Sequence, residues 1–132
     1  MKILIVDDNK ACVQVMVWTL EVLGYNEVQV AYDGPTAIEL AKSFRPELVL
    51  LDIGMPEMNG YDTCRAMRKE PMLRDTVFVA HTGWGEKIHR KHSEEAGFAY
   101  HLVKPVDIEI LKRVLFKVDK SRSPSQELKV VV

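Results

Sequence analysis

The sequence predicts an α/β fold built on an open parallel sheet with helices on both faces, and three observations carry that expectation. Apolar runs recur at KILIVD (2–7), EVQVAY (27–32), ELVLLD (47–52), TVFVAH (76–81) and AYHLVK (99–104). Several are continuously apolar, as strands covered on both faces should be. The stretches between them carry apolar residues at helical spacing, and 132 residues suit a single domain.

The elements follow in chain order. The first run ends on Asp7 and Asp8, and Val13, Met16, Val17 and Leu20 then fall on one helical stripe. Gly24 punctuates the chain before the second run. Ala37, Leu40, Ala41 and Phe44 repeat the helical spacing, and Pro46 closes that segment. Residues 60–70 and 86–96 are expected to be helices exposed to solvent, because their apolar stripes are thin. Gly97 precedes the fifth run, and Leu111, Val114, Leu115 and Val118 mark a last helix. The closing KSRSPSQELKVVV is polar until its final residues and reads as a C-terminal tail.

Composition excludes several functions. Hydrophobic residues make up 47% and charged residues 28%, the balance of a soluble globular protein. A net charge of -1 gives no electrostatic reason to bind nucleic acid or an anionic membrane, so neither is expected as a partner. Met1 is followed at once by the first strand, without the charged and apolar regions of a secretory signal, so a cytoplasmic location is expected. Cys12 and Cys64 show no metal-binding spacing and read as free thiols.

In an open parallel sheet, ligands bind beyond the carboxyl ends of the strands. Those ends carry Asp7 and Asp8, Asp52, Thr82 and Lys104. Clustered carboxylates raise one another's pKa unless a cation neutralises them, and an all-oxygen set favours a hard ion such as Mg²⁺. Asp52 is a carboxylate able to accept a phosphoryl group, Thr82 offers a hydroxyl to a phosphoryl oxygen, and Lys104 supplies a compact positive charge. Taken singly, each residue has a plainer reading: Asp8 a helix N-cap, Thr82 a loop hydroxyl, Lys104 a surface lysine. Their joint placement favours chemistry.

Through IVDDN, LVLLDIGMPEMNGYD, AHTGWG and LVKPVD, residues 1–120 resemble the CheY-like receiver domain of two-component response regulators. HTGWG followed by EEAGFAYHLVKPVD is closest in wording to receivers attached to hybrid histidine kinases. The resemblance implies a flavodoxin-like fold, five parallel strands in the order 2-1-3-4-5 with five helices. It makes Asp52 the phosphoacceptor and Asp8 a direct Mg²⁺ ligand, with Asp7 acting through water and the Gly54 carbonyl completing the set. Mn²⁺ is expected to substitute. Thr82 becomes the switch hydroxyl and Lys104 the phosphate-binding lysine, with a cis Lys104–Pro105 bond. The implied partner is a sensor histidine kinase or a histidine phosphotransfer protein, and output runs through protein contacts.

Three features depart from the family pattern or lie outside it. His101 occupies the aromatic switch position, where tyrosine or phenylalanine is usual. Gly54 and Trp84 flank the site at positions that tune acyl phosphate hydrolysis in the family. Residues 86–95, EKIHRKHSEE, read as a solvated helix face. A haloacid dehalogenase type phosphatase is the enzyme alternative, but it needs a second aspartate where this chain has Gly54. A receiver-fold module that is never phosphorylated is the other. Right-handed crossovers in the order 2-1-3-4-5 place Cys12 and Cys64 on opposite faces of the sheet, too far apart for a disulfide.

Overall fold

The structure is a computed structural model and describes residues 1–83 and 90–119. The elements run β1 (Ile3–Val6), α1 (Lys10–Val22), β2 (Val28–Ala31), α2 (Gly34–Phe44), β3 (Leu48–Leu51) and α3 (Gly60–Arg68). A single 3-10 turn (Pro71–Leu73) follows, then β4 (Val77–Gly83), α4 (Arg90–Ala96), β5 (Phe98–Lys104) and α5 (Ile108–Val118). All strand pairs are parallel and the order is β2-β1-β3-β4-β5. The five expected strands are present. Residues 86–89 of the expected fourth helix, Trp84 and the C-terminal segment beyond Asp119 lie outside the described residues.

The central strands are sealed on both faces, every residue of β1 and β3 being at most 2% exposed. Alternate residues feed two separate cores. Ile3, Ile5, Leu48, Leu50 and Val79 pack under α1 and α5, against Val13, Met16, Leu20, Leu111, Val114 and Leu115. Leu4, Val6, Val49, Leu51, Phe78 and Ala80 belong to the opposite core with α2, α3 and α4. Cys12 sits on α1 and Cys64 in the opposite core, both free, so the sheet separates them as expected.

Residues 60–68 correct one expectation. The segment is helical but not merely exposed: Gly60, Thr63, Cys64 and Met67 are buried at i, i+3, i+4 and i+7. In α4, Ser93 and Ala96 are buried likewise. A stripe of such small or weakly apolar residues looks thin in sequence, yet it lets helices approach closely. The Cys64 thiol donates to the carbonyl of Ala96 on α4 at 3.2 Å, and burial pushes that thiol up to about 12.

Helix starts are fixed by short polar side chains. Asn9 accepts from the Cys12 amide at 3.0 Å, Asp33 from Thr36 at 2.7 Å, Asn59 from Asp62 at 3.0 Å and Asp107 from Glu109 at 2.8 Å. The plain reading of Asp8 as an N-cap therefore fails: Asn9 caps α1, leaving the Asp8 carboxylate out of the cap.

Candidate functional site

The site forms where β1, β3, β4 and β5 end. Asp7 follows the last residue of β1 and Asp52 follows β3; both are buried, at 3% and 5% exposure, while Asp8 is exposed. Thr82 lies within the sheet rather than after the strand as expected, because β4 continues to Gly83. Lys104 is the last residue of β5, and its bond to Pro105 is cis.

Backbone contacts hold these ends in register. The Asp7 amide donates to Ala31 at 3.1 Å and the Asp52 amide to Val6 at 2.9 Å, so each acid is tied to the neighbouring strand. Asp7 Oδ1 accepts from the Asn9 amide at 2.9 Å, and Asp52 Oδ1 from the Gly54 amide at 3.1 Å. The loop beyond Asp52 is pressed against the start of α3. The Gly60 amide donates to the Ile53 carbonyl at 2.9 Å. A Cβ at Gly60 would come within 2.4 Å of the Asp52 carbonyl oxygen, so only glycine fits there.

One oxygen from each of Asp7, Asp8 and Asp52 lies within 4.8 Å of the others. Lys104 Nζ approaches Asp7 Oδ2 at 2.6 Å and Asp52 Oδ2 at 3.6 Å. Burial opposes the ammonium, but the Asp7 hydrogen bond and the charges of Asp52 and Asp7 outweigh it and raise its pKa. Three carboxylates against one ammonium leave the cleft negative. That donor set, hard oxygens with charge to spare, fits a divalent cation such as Mg²⁺. The Thr82 hydroxyl is buried and has no hydrogen-bond partner, at a position where such an omission costs about 1–3 kcal/mol.

His101 lies behind Thr82 on the α3/α4 side, by way of an irregular register. Phe78 pairs with Phe98 but Val79 with Tyr100, so Ala99 is an extra residue in β5. The bulge puts Phe98 and His101 on one face despite their odd spacing. Their rings are 6.1 Å apart, and His101 Nε2 meets the fully buried Ser93 Oγ of α4 at 2.6 Å. Phe98 continues to Tyr61, and Tyr61 to His92, at 6.3 and 6.0 Å.

Sequence reading missed Ser93 and His81. Ser93 lay in a stretch read as a solvated face, and no sequence signal links it to His101. His81 falls within an apolar run of the sequence; it is 7% exposed, and burial, with Lys104 nearby, lowers its pKa to about 4.

Comparisons with known proteins agree with this architecture. The sequence model of the response regulator receiver domain matches residues 3–116. Response regulator PleD of Caulobacter vibrioides is 37% identical over 106 residues, 80% of this chain and 23% of that protein. The DNA-binding dual master transcriptional regulator RpaA of Synechocystis is 32% identical over 114 residues, 86% of this chain and 47% of that protein. The chain thus spans about half the length, or less, of the curated relatives it matches. The structure of the Vibrio cholerae chemotaxis protein CheY4 superposes with a TM-score of 0.80 at 30% identity, covering 89% of this chain and 97% of that one. The receiver domain of the Pseudomonas aeruginosa PAO1 sensor histidine kinase PA1611, solved with a magnesium ion in its active site cleft, gives 0.79 at 30% identity, covering 89% and 95%. Among the described residues no helix is long and apolar enough to cross a membrane. A family match over nearly all the described residues, on a sheet of the expected order, establishes that the chain belongs to the response regulator receiver domain family.

Proposed function

We propose that this chain is a phosphorylation-operated switch in which Asp52 accepts a phosphoryl group from a phosphohistidine on a sensor histidine kinase or phosphotransfer protein. The observation that carries the reading is the placement of Asp52, buried between an ammonium and two further carboxylates. An Asp52 carboxylate oxygen attacks phosphorus, the bond from phosphorus to the donor imidazole breaks, and the imidazole leaves as a neutral ring after taking up a proton. Asp7, Asp8, Asp52 and the Gly54 carbonyl would hold Mg²⁺, or Mn²⁺ in its place, which neutralises charge on the phosphoryl oxygens. Lys104 balances a further oxygen. The Thr82 hydroxyl, without a partner in this structure, donates to the transferred group and moves toward it. His101 then follows, altering the surface that α4 and β5 present.

Input and output run through protein contacts. α1 starts at the cleft and exposes Val15 and Trp18, each at 59%, an apolar surface against which a donor can dock to reach Asp52. Residues 1–120 form the receiver unit, placed in the cytoplasm, without direct contact to nucleic acid or membrane.

The test is mass spectrometry after treatment with acetyl phosphate and Mg²⁺. The parent should gain one phosphoryl group, and Asp52→Asn none. Labelling that persists in Asp52→Asn overturns the assignment. Mg²⁺ should also raise the melting temperature, by the equivalent of about 2.7 kcal/mol at a hundredfold excess over Kd, and Asp8→Ala should remove most of that gain.

A further inference from the structure

α4 meets the rest of the molecule through very little side-chain volume. Of residues 91–96 only Ser93 and Ala96 are buried, and neither carries a large apolar group. Two hydrogen bonds, one turn apart, take the place of that volume. The Ala96 carbonyl accepts from the Cys64 thiol of α3, and the Ser93 hydroxyl is joined to His101 Nε2 of β5 at 2.6 Å. The first ties α4 to a neighbouring helix, the second to the strand that ends in Lys104.

The second bond also fixes where the imidazole sits. His101 pairs with Ala80, and Thr82 follows two residues later on the same face of β4. The ring and the unpartnered Thr82 hydroxyl therefore share one layer, offset by about 6.6 Å along the strand direction. A bond of 2.6 Å is lost once the ring has moved by ~1 Å, well short of the Thr82 position. The ring has two exclusive places, against Ser93 or shifted toward Thr82, and Ala80 between them is too small to bar the way. In the second place the fully buried Ser93 hydroxyl loses its bond to His101, the one hydrogen bond it makes among the described residues. A buried hydroxyl stripped of its bond is costly.

We propose that Ser93 is a positioning residue for the Asp52 site: its bond holds His101 away from Thr82 in the unphosphorylated protein and must break when Asp52 is loaded. The bond is thus a latch that opposes phosphoryl uptake. The inference rests on the phosphoacceptor reading of Asp52 and adds to it the contact that resists the switch. Removing the latch raises the fraction of molecules in the acceptor conformation, and apparent affinity rises with that fraction.

Beryllofluoride with Mg²⁺, a stand-in for the phosphoryl group, tests it on the full chain. Ser93→Ala should bind it about fivefold to tenfold more tightly than the parent, the worth of one hydrogen bond, even though the substitution lowers the melting temperature. A serine that only seats α4 would lose stability without gaining affinity. His101→Phe, which keeps a ring but cannot make the bond, should show a similar gain, and adding Ser93→Ala to it should change affinity no further. In nitrogen-15 spectra, the His101 Nε2 resonance of the parent should move on saturation with beryllofluoride, to the position it holds in Ser93→Ala. Should Ser93→Ala fail to fold, the gain in His101→Phe and the movement of the parent resonance decide. Unchanged or weaker binding by the single variants, additive effects in the double variant, or an Nε2 resonance that stays in place on saturation each overturn the latch and leave Asp52 as the acceptor. A parent that binds no beryllofluoride, or binds it no better than Asp52→Asn, refutes the reading of Asp52, and the latch falls with it.

Discussion

The two faces of the sheet are filled by different means. Among fully buried residues, α1 and α5 contribute Val13, Met16, Leu20, Leu111, Val114 and Leu115, while α2, α3 and α4 contribute mainly Ala37, Ala41, Thr63, Cys64, Ser93 and Ala96, with Met67 the large exception and Ile38, Leu40, Phe44 and Tyr61 half-buried at the margin. The first face is held by volume and the second by close approach. Polar groups are correspondingly placed: the small-residue face has room for the His101–Ser93 bond, whereas the large-residue face buries His81 with an unpartnered nitrogen. A face held by small contacts and one short bond can shift with less lost packing.

Substitutions of opposite kinds should separate the two faces. Leu20→Ala, at a fully buried site, should cost about 2–5 kcal/mol in urea denaturation. Its counterpart Ala96→Leu should cost about 1–3 kcal/mol, because the 1% exposed alanine has no space to grow. If Ala96→Leu proves neutral, the second face is not close-packed and the contrast fails.

His81 sharpens the comparison through pH. The unfolded chain binds a proton at this ring below about 6.5 and the folded chain only near 4, so its share of stability is intact at neutral pH and falls as pH drops between those values. Between pH 7 and 5 the loss should be ~2 kcal/mol, absent in His81→Leu. Parallel pH profiles for parent and variant would sink the idea.

On the opposite face, Ser93→Ala should cost about 1 kcal/mol and loosen α4, visible as faster amide exchange across Arg90–Ala96. Unchanged exchange would show that packing alone seats α4. The smallest effect is expected in the loop after Asp52, where Glu57 adopts φ of 65°. Glu57→Gly should gain ~0.5–1 kcal/mol, since glycine takes that conformation without a Cβ clash. A loss instead would mean that the glutamate side chain contributes more than the strain it carries.

Much of this was legible in the sequence. The strands announce themselves as continuous apolar runs, and α1, α2 and α5 as stripes of large residues, because burial on a sheet demands both. The carboxylates, Thr82 and Lys104 are visible since polar residues at strand ends interrupt those runs. The nature of α3 and α4 was hidden, because Thr63, Cys64 and Ser93 do not look apolar and owe their burial to what lies opposite. The bulge at Ala99 was equally hidden: a strand of unbroken apolar character gives no parity to read, so the facing of His101 emerges only from pairing with β4. The cap at Asn9 shows the limit of neighbour-by-neighbour reading, where two adjacent candidates compete and geometry chooses.

The bridge from Lys104 to Asp7 and Asp52 joins the last strand to the first and third. During synthesis, β1 and β3 leave the ribosome long before β5, and for that interval the acids have no lysine beside them. A chain still lacking its fifth strand therefore keeps its two buried acids without their counter-charge, and the cleft is completed in one step when β5 docks.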